Sequence, residues 1–204
     1  TPESHDPRRS AAANRTDSGA ESGDDDDKAM DAQQSRSVTL AFAGDVHFEG
    51  ELAALPDRRN ATLGPMSSAL RSADVAVVNL ESALTSGGSR VAKELEDPSR
   101  RYWFRSPPSA LALLDRSGVD VVSLANNHGA DYGGAGLHDT LRAARGPVGV
   151  IGVGRSPEEA FRPFRTSVDG VEVAVLAADA SPLESNASIW NVELGGIGLA
   201  TARN

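Results

Sequence analysis

The stretch VVSLANNHGADYG at residues 121–133 joins an apolar segment to a group of polar side chains. It begins within the run Val119 to Leu124, which is short and rich in valine, as is typical of a strand buried on both faces. Asn126, Asn127 and His128 follow at the point where the run ends. The sequence therefore places residues of ligand type at the carboxyl end of a predicted strand.

Two other predicted strands end in the same way. The run Val38 to Ala43 is predicted as a buried strand that leads into Asp45, and Val75 to Val78 as a buried strand that leads into Glu81. Ligands of open α/β sheets gather where parallel strands have their carboxyl ends. We therefore expect these strands to lie side by side, with Asp45, Glu81 and Asn127 close together.

The rest of the pattern alternates short strands with helices. Helices are predicted at residues 63–73, 109–117 and 137–144, strands at 102–104 and 148–153, and a hairpin at 164–168 and 171–177. Asp169 and Gly170, between the two hairpin strands, are typical of a type I′ turn. Alternation of this kind predicts the α/β class, with a largely parallel sheet covered on both faces.

The amino-acid composition excludes several classes of functional site and partner. The 204 residues contain no cysteine, which excludes disulfides, thiolate metal sites and thiol catalysis. The formal net charge of −9 argues against a nucleic-acid partner or a polybasic membrane patch. No apolar run approaches the roughly 18 residues of a membrane span.

Residues 1–37 contain no Val, Ile, Leu, Phe, Tyr or Trp. Such a segment cannot bury enough surface to offset its ordering entropy, so we predict a disordered acidic leader or tether, followed by a folded domain over residues 38–204. The string DDDDK at residues 24–28 matches the enteropeptidase recognition sequence. A natural acidic linker is favoured over an introduced cloning sequence.

The three strand ends carry residues that suit metal chemistry. Asp45 and His47 are two residues apart, so in an extended segment both side chains point to one side and can chelate one cation. Glu81 can bridge to a second cation, and Asn127 can offer an amide oxygen. Oxygen and imidazole ligands without sulfur suit Mn, Zn, Fe or Mg. His128 can then protonate a leaving oxygen or hold a phosphate.

Each of these residues also has an ordinary structural interpretation. Asp45 alone is typical of a turn or a helix N-cap, the Asn126-Asn127 pair of a turn, and His47 of a solvated loop. Their coincidence at three strand ends favours a functional site. By contrast, His138 is predicted on the outside of a helix, without a role.

The aromatic segment before Pro107 leaves two interpretations open. Arg101, Trp103 and Arg105 alternate in sequence, so on a strand they share one face. That face is either a shelf for an anionic substrate or glycan, or an edge strand that arginine protects from association, and the second is favoured.

From Val38 to Ala180 the chain resembles the CapA family of capsule or poly-gamma-glutamate synthesis proteins, which are related in fold to calcineurin-like metallophosphoesterases. The matching stretches are Gly44-Asp45-Val46, residues 77–81, 104–108 and 121–133, and Gly152-Val153-Gly154-Arg155. The resemblance implies a metallophosphoesterase-like α/β sandwich. It also implies Asp45, His47, Glu81 and Asn127 as metal ligands, His128 and Asp45 as catalytic residues, and Asn126 and Arg105 as substrate-binding residues.

The resemblance further implies a capsule synthesis protein that uses one or two divalent ions on a phosphoester or an anionic polymer. A non-enzymatic component that binds polymer within a membrane synthase or exporter is the alternative, and a cytoplasmic phosphoesterase is a third. An extracytoplasmic location is expected, with tethering or secretion directed by an upstream signal. Because the family continues into further histidine-bearing segments, the sandwich and its metal ligands are expected to be incomplete at the C-terminus.

Overall fold

Short strands and helices alternate along the computed structural model, which describes residues 37–182 and 188–202. In chain order they are β1 (Leu40–Val46), α1 (Met66–Arg71), β2 (Val75–Leu80), β3 (Ala83–Leu84), β4 (Arg105–Ser106), α2 (Ser109–Arg116), β5 (Val121–Ser123), α3 (Gly133–Ala143), β6 (Gly149–Ile151), β7 (Val153–Gly154), α4 (Pro157–Ala160), β8 (Phe164–Val168), β9 (Val171–Val175) and β10 (Gly198–Leu199). Short 3₁₀ helices span Gly50–Leu52, Pro98–Arg100 and Val192–Leu194. Within the described ranges, each helix is too short or too polar to cross a bilayer.

The predicted leader falls almost entirely outside the described residues. The described residues belong to one compact unit. The division between leader and domain at residue 37 therefore stays a prediction.

The main sheet has the order β1-β2-β5-β6, and all its strands are parallel. Across it, Asp45 pairs with Asn79, Asn79 with Ser123, and Ser123 with Ile151. The expectation that the strands leading to Asp45, Glu81 and Asn127 lie side by side is confirmed. Their carboxyl ends share one edge of the sheet.

The two faces of the sheet are covered differently. On β2, Ala76, Val78 and Leu80 belong to the larger core, together with leucines of α1, α2 and α3. Val75 and Val77 face the other way and pack in a second cluster with residues of the β8–β9 hairpin. The chain therefore has an α/β fold in which helices cover one face of the sheet and a hairpin covers the other.

The first strand differs from the prediction in extent and burial. It runs from Leu40 to Val46, so Asp45 lies within the strand rather than beyond it. Its place at the edge of the sheet leaves Phe42 69% exposed. The apolar composition predicted a buried strand, which is wrong because strand order, not composition, decides which strand lies at the edge.

The helix predicted over residues 63–73 is shorter, because α1 spans only Met66–Arg71 after Pro65. Met66 is exposed in this helix, whereas Ser67 and Leu70 are buried. The helix α2 matches its prediction closely. His138 lies exposed on α3, as predicted.

The predicted strand at residues 102–104 is not a strand. The Phe104 amide donates to Asp131 and the Trp103 indole donates to the Val91 carbonyl, so side-chain contacts replace a ladder there. The short strand β4 begins at Arg105 and pairs with β3. Arg101, Trp103 and Arg105 therefore do not share one strand face, and the prediction of an arginine-guarded edge strand is wrong.

The apolar run at residues 148–153 forms two strands instead of one. Gly152 has φ of +85°, and a Cβ there would lie 2.5 Å from the Ala125 Cβ, so the chain bends where only glycine fits. The second piece, β7, pairs antiparallel with β10, and Leu199 of β10 is fully buried. Residues 188–202 thus pack onto the domain, although the sequence after Ala180 shows little apolar periodicity.

The predicted hairpin is confirmed: β8 and β9 pair antiparallel, with positive φ at both Asp169 and Gly170.

Candidate functional site

A chain of amide hydrogen bonds joins the carboxyl ends of β1, β2 and β5. The Asn79 Nδ2 donates to Asp45 Oδ1 over 2.8 Å, and the Asn126 Nδ2 donates to Asn79 Oδ1 over 3.0 Å. The His128 backbone N–H in turn donates to Asn126 Oδ1 over 3.0 Å. Asp45 and His128, predicted from separate strands, are therefore held in one network. Asn79, which the sequence analysis gave no role, is its central member.

Asn126 is buried and closes the turn after β5. Its Nδ2 donates to the Leu80 carbonyl over 2.9 Å as well as to Asn79, so both amide protons are used inside the protein. Asn127 beside it is half-buried. The substrate-binding role of Asn126 stays a prediction, and its observed contacts are structural.

Glu81 follows β2 and is surrounded by the other ionisable groups of the site. Its partial burial, and then the Asp45 carboxylate, raise the pKa of Glu81 above its ordinary value, whereas His128 and His47 act to lower it. Asp45, His47 and His128 therefore lie close enough to Glu81 to act on it electrostatically. We call these four residues the strand-end cluster.

Phe104 packs against both imidazoles of the cluster. Its ring centroid lies 4.7 Å from that of His47, with an interplanar angle of 10°, and 4.3 Å from that of His128, with an angle of 27°. Stacking of this kind fixes the planes of both imidazoles. Sequence reasoning gave Phe104 no role in the site, because its contact with the strand ends arises only when the loop before β4 folds back.

A buried ion pair lies behind His128. The Lys93 ammonium is 2.7 Å from Asp131 Oδ1, and both side chains are 0% exposed. The other carboxylate oxygen of Asp131 is 2.7 Å from His128 Nδ1. Lys93 stands in a polar segment, whose composition predicts a solvated loop, so no sequence signal marks it as part of the site.

The predicted metal ligands are only partly gathered. Asp45 Oδ1 accepts from Asn79, and His47 Nδ1 is buried without a hydrogen-bond partner in the described structure. Over residues 37–182 and 188–202, no three His, Asp or Glu side chains are arranged closely enough to hold a metal ion. The donor types at Asp45, His47, Glu81 and Asn127 suit a divalent cation, but they do not form a coordination set. The metal site stays a prediction.

Two cavities have walls that include residues predicted for the site. One of about 570 Å³ is lined by Asp45 and His47 and otherwise mainly by apolar side chains of β1, α1 and the intervening loop. Another, of about 300 Å³, includes Arg105 and Glu49 in its wall. The Arg105 guanidinium lies 5.2 Å from the centre of the Tyr132 ring. Arg105 directly follows Phe104, which stacks on both imidazoles of the cluster, and its role toward substrate stays a prediction.

Comparison with known proteins gives two matches. Residues 39–196 match the family described as "Bacterial capsule synthesis protein PGA_cap". Over 85 residues, 41% of this chain, the sequence is 27% identical to the capsule biosynthesis protein CapA of Bacillus anthracis. That alignment covers 21% of the length of the Bacillus anthracis protein. The resemblance drawn from the sequence motifs is confirmed.

Proposed function

Because this chain belongs to the bacterial capsule synthesis family PGA_cap, we propose that its strand-end cluster acts on a phosphoester or an anionic polymer during capsule synthesis. The observation that carries the proposal is the meeting of Asp45, Glu81 and His128 at the carboxyl ends of neighbouring parallel strands. Carboxylates and an imidazole in a partly buried setting are the groups that general acid–base chemistry requires.

In this proposal His128 meets the substrate and transfers a proton, and the other residues keep it in place. Its backbone is held by Asn126 and its ring by Asp131 and Phe104. Asp45 is tied into the same network through Asn79. A precisely held imidazole supports acid–base chemistry, because small displacements of a proton donor cost large factors in rate.

A divalent cation at Asp45, His47, Glu81 and Asn127 belongs to the proposal. Such an ion would supply positive charge between Asp45 and Glu81, whose mutual repulsion contributes to the raised pKa of Glu81. The described residues are not gathered as a coordination set, so no reaction step is assigned to the ion.

The second candidate function is binding of an anionic capsule polymer without catalysis, as a component of a membrane synthase or exporter. Two arginines held on aromatic rings favour it, because Arg90 lies over Trp103 and Arg105 over Tyr132, at 5.4 and 5.2 Å from the ring centres. Guanidinium groups held on aromatic faces are suited to carboxylates and phosphates. Both candidate functions include an extracytoplasmic location, and neither includes a nucleic-acid partner.

The test compares the full chain with its Asp45→Ala and His138→Ala variants. Mn²⁺ and Zn²⁺ are titrated by calorimetry, and each protein is assayed for hydrolysis of a generic phosphodiester and for binding of poly-gamma-glutamate. Enzymatic function predicts metal binding and turnover that Asp45→Ala weakens at least tenfold and His138→Ala leaves unchanged. Polymer binding without turnover supports the second function. Equal metal affinity in all three proteins would remove the metal from the proposal.

A further inference from the structure

The Lys93 side chain is the most unexpected charge in the described structure. It is 0% exposed, and lysine is almost never fully buried unless it is paired. Its partner Asp131 is buried to the same extent, at 2.7 Å. Removing two charges from water is costly, and well-packed apolar side chains often replace such a pair without loss of stability. Stability alone is therefore a poor explanation for this pair.

The carboxylate of Asp131 connects Lys93 to His128. Its Oδ1 faces the ammonium, and its Oδ2 lies 2.7 Å from both the Phe104 backbone nitrogen and His128 Nδ1. An ionised carboxylate only accepts hydrogen bonds. His128 Nδ1 must then carry the proton that it shares with Asp131, and Nε2 is left as the ring nitrogen available to the site.

The loop that carries Lys93 holds this arrangement from several sides. The Val91 N–H donates to the Asp131 carbonyl over 3.0 Å, and the Trp103 indole donates to the Val91 carbonyl over 2.8 Å. The ammonium lies 3.5 Å from Glu96 Oε1 and 5.9 Å from the centre of the Trp103 ring. It is also 3.4 Å from His128 Nδ1 itself.

We infer that Lys93 is a positioning residue for His128. By pairing with Asp131 and holding it as an acceptor, the buried ammonium fixes the imidazole as the Nδ1–H tautomer, with Nε2 free to exchange a proton with substrate. This inference rests on the proposed role of His128 in the site. It adds a residue, Lys93, whose effect reaches the reacting nitrogen through Asp131. Fixing a histidine tautomer through a carboxylate is a general device of acid–base catalysis.

The experiment reads the tautomer directly. Long-range proton–nitrogen correlation spectra of the ¹⁵N-labelled full chain are recorded at about pH 8, where an ordinary imidazole is neutral. We expect wild-type His128 to be almost entirely the Nδ1–H tautomer. In Lys93→Met that fraction should fall to half or less. In Asp131→Asn it should fall further, because the amide can donate to Nδ1.

The matched control is Arg90→Met. Arg90 also lies over the Trp103 ring, at 5.4 Å, but among the described residues the ion pairs of Asp131 are with Lys93 and His128 and not with the Arg90 guanidinium. Its removal should leave the His128 signals unchanged. The exposed His138 serves as an internal reference in every spectrum.

Lys93→Met leaves the Asp131 charge buried and unpaired, so that variant can fail to fold. The double variant Lys93→Met/Asp131→Asn removes both charges together and should fold, with His128 no longer fixed. An Nε2–H tautomer in the wild type, or an unchanged Nδ1–H tautomer in the folded variants, would overturn the inference. Since the spectra need no substrate, absence of turnover would count against the proposed function and leave this result standing.

Discussion

The partial burial of Glu81 makes the free energy of unfolding depend on pH. Because the folded-state pKa of Glu81 is raised, the protonated form is stabilised by folding. That stabilisation is fully present below the unfolded pKa and is lost as pH rises through the folded pKa. We expect Glu81→Gln, which carries no charge, to match wild type near pH 4 and to exceed it in free energy of unfolding toward pH 7. Urea unfolding across this range measures the difference.

Glu158 provides the control with the opposite sign. The Ser156 hydroxyl lowers the pKa of Glu158, so its contribution to stability is present above the unfolded pKa and is lost as pH falls. Glu158→Gln should therefore lose a little stability at neutral pH and none in acid. Parallel pH profiles for Glu81→Gln and wild type would contradict the prediction for Glu81.

Asn126 should matter to stability more than its polar character suggests. Asn126→Ala removes the partners of the Leu80 carbonyl, the Asn79 amide and the His128 N–H. We expect a loss of about 2–4 kcal/mol in free energy of unfolding, since each buried polar group left without a partner costs about 1–3 kcal/mol. Denaturant titration measures it. Asn127→Ala, at a half-buried position, is the control. Equal losses of stability in both variants would contradict the structural role of the Asn126 hydrogen bonds.

The convergence of Asp45, Glu81 and His128 was predictable because it follows from parallel strands that end at one edge. The role of Asn79 was not predictable, because a single amide at a strand end has no distinctive pattern and its contacts depend on the cross-strand register. The role of Lys93 was not predictable either, because only the folding of a long loop onto Asp131 buries it.

At the scale of elements, the carboxyl end of β1 is held in place by the residue Phe48 that follows it, rather than by side chains of the strand. Phe48 follows His47 and is 2% exposed in the larger core, whereas Phe42 within the strand is 69% exposed. We expect Phe48→Ala to lower the free energy of unfolding by about 3–5 kcal/mol. Phe42→Ala should change it by less than about 0.5 kcal/mol, as at other surface positions.

Thermal and urea unfolding of the two variants measure this difference. Similar losses in both would mean that the edge strand packs against more than the described residues provide. A second readout is the calorimetric metal affinity, which should fall in Phe48→Ala if the segment carrying His47 is loosened.

The predicted elements were most accurate where neighbouring residues alone specify the structure. The helix α2 and the β8–β9 hairpin match closely, because a clear apolar face and an Asp-Gly turn specify them locally. The segment at residues 102–104 was wrong because side chains such as Asp131 satisfy its backbone, and that information lies elsewhere in the sequence.

At the scale of the whole molecule, the acidic leader should be separable from the domain. Residues 1–37 contain no Val, Ile, Leu, Phe, Tyr or Trp with which to pack. We expect a chain that begins at Val38 to keep the amide resonances of the strands and of the strand-end cluster. Two-dimensional amide spectra of both chains provide the test, and large shifts in core resonances on truncation would contradict it.

The parallel order of the main sheet also has a kinetic consequence. Leu40 pairs with Val75, Val77 with Val121, and Val121 with Gly149, so each ladder joins segments that are distant in the chain. The loop-closure entropy must be lost before any of these contacts forms, and such topologies have high contact order and fold slowly. The hairpin of β8 and β9, by contrast, forms from neighbouring residues and can fold within microseconds. We therefore expect the strand ends that carry Asp45, Glu81 and His128 to come together late in folding, with the site among the last parts of the molecule to form.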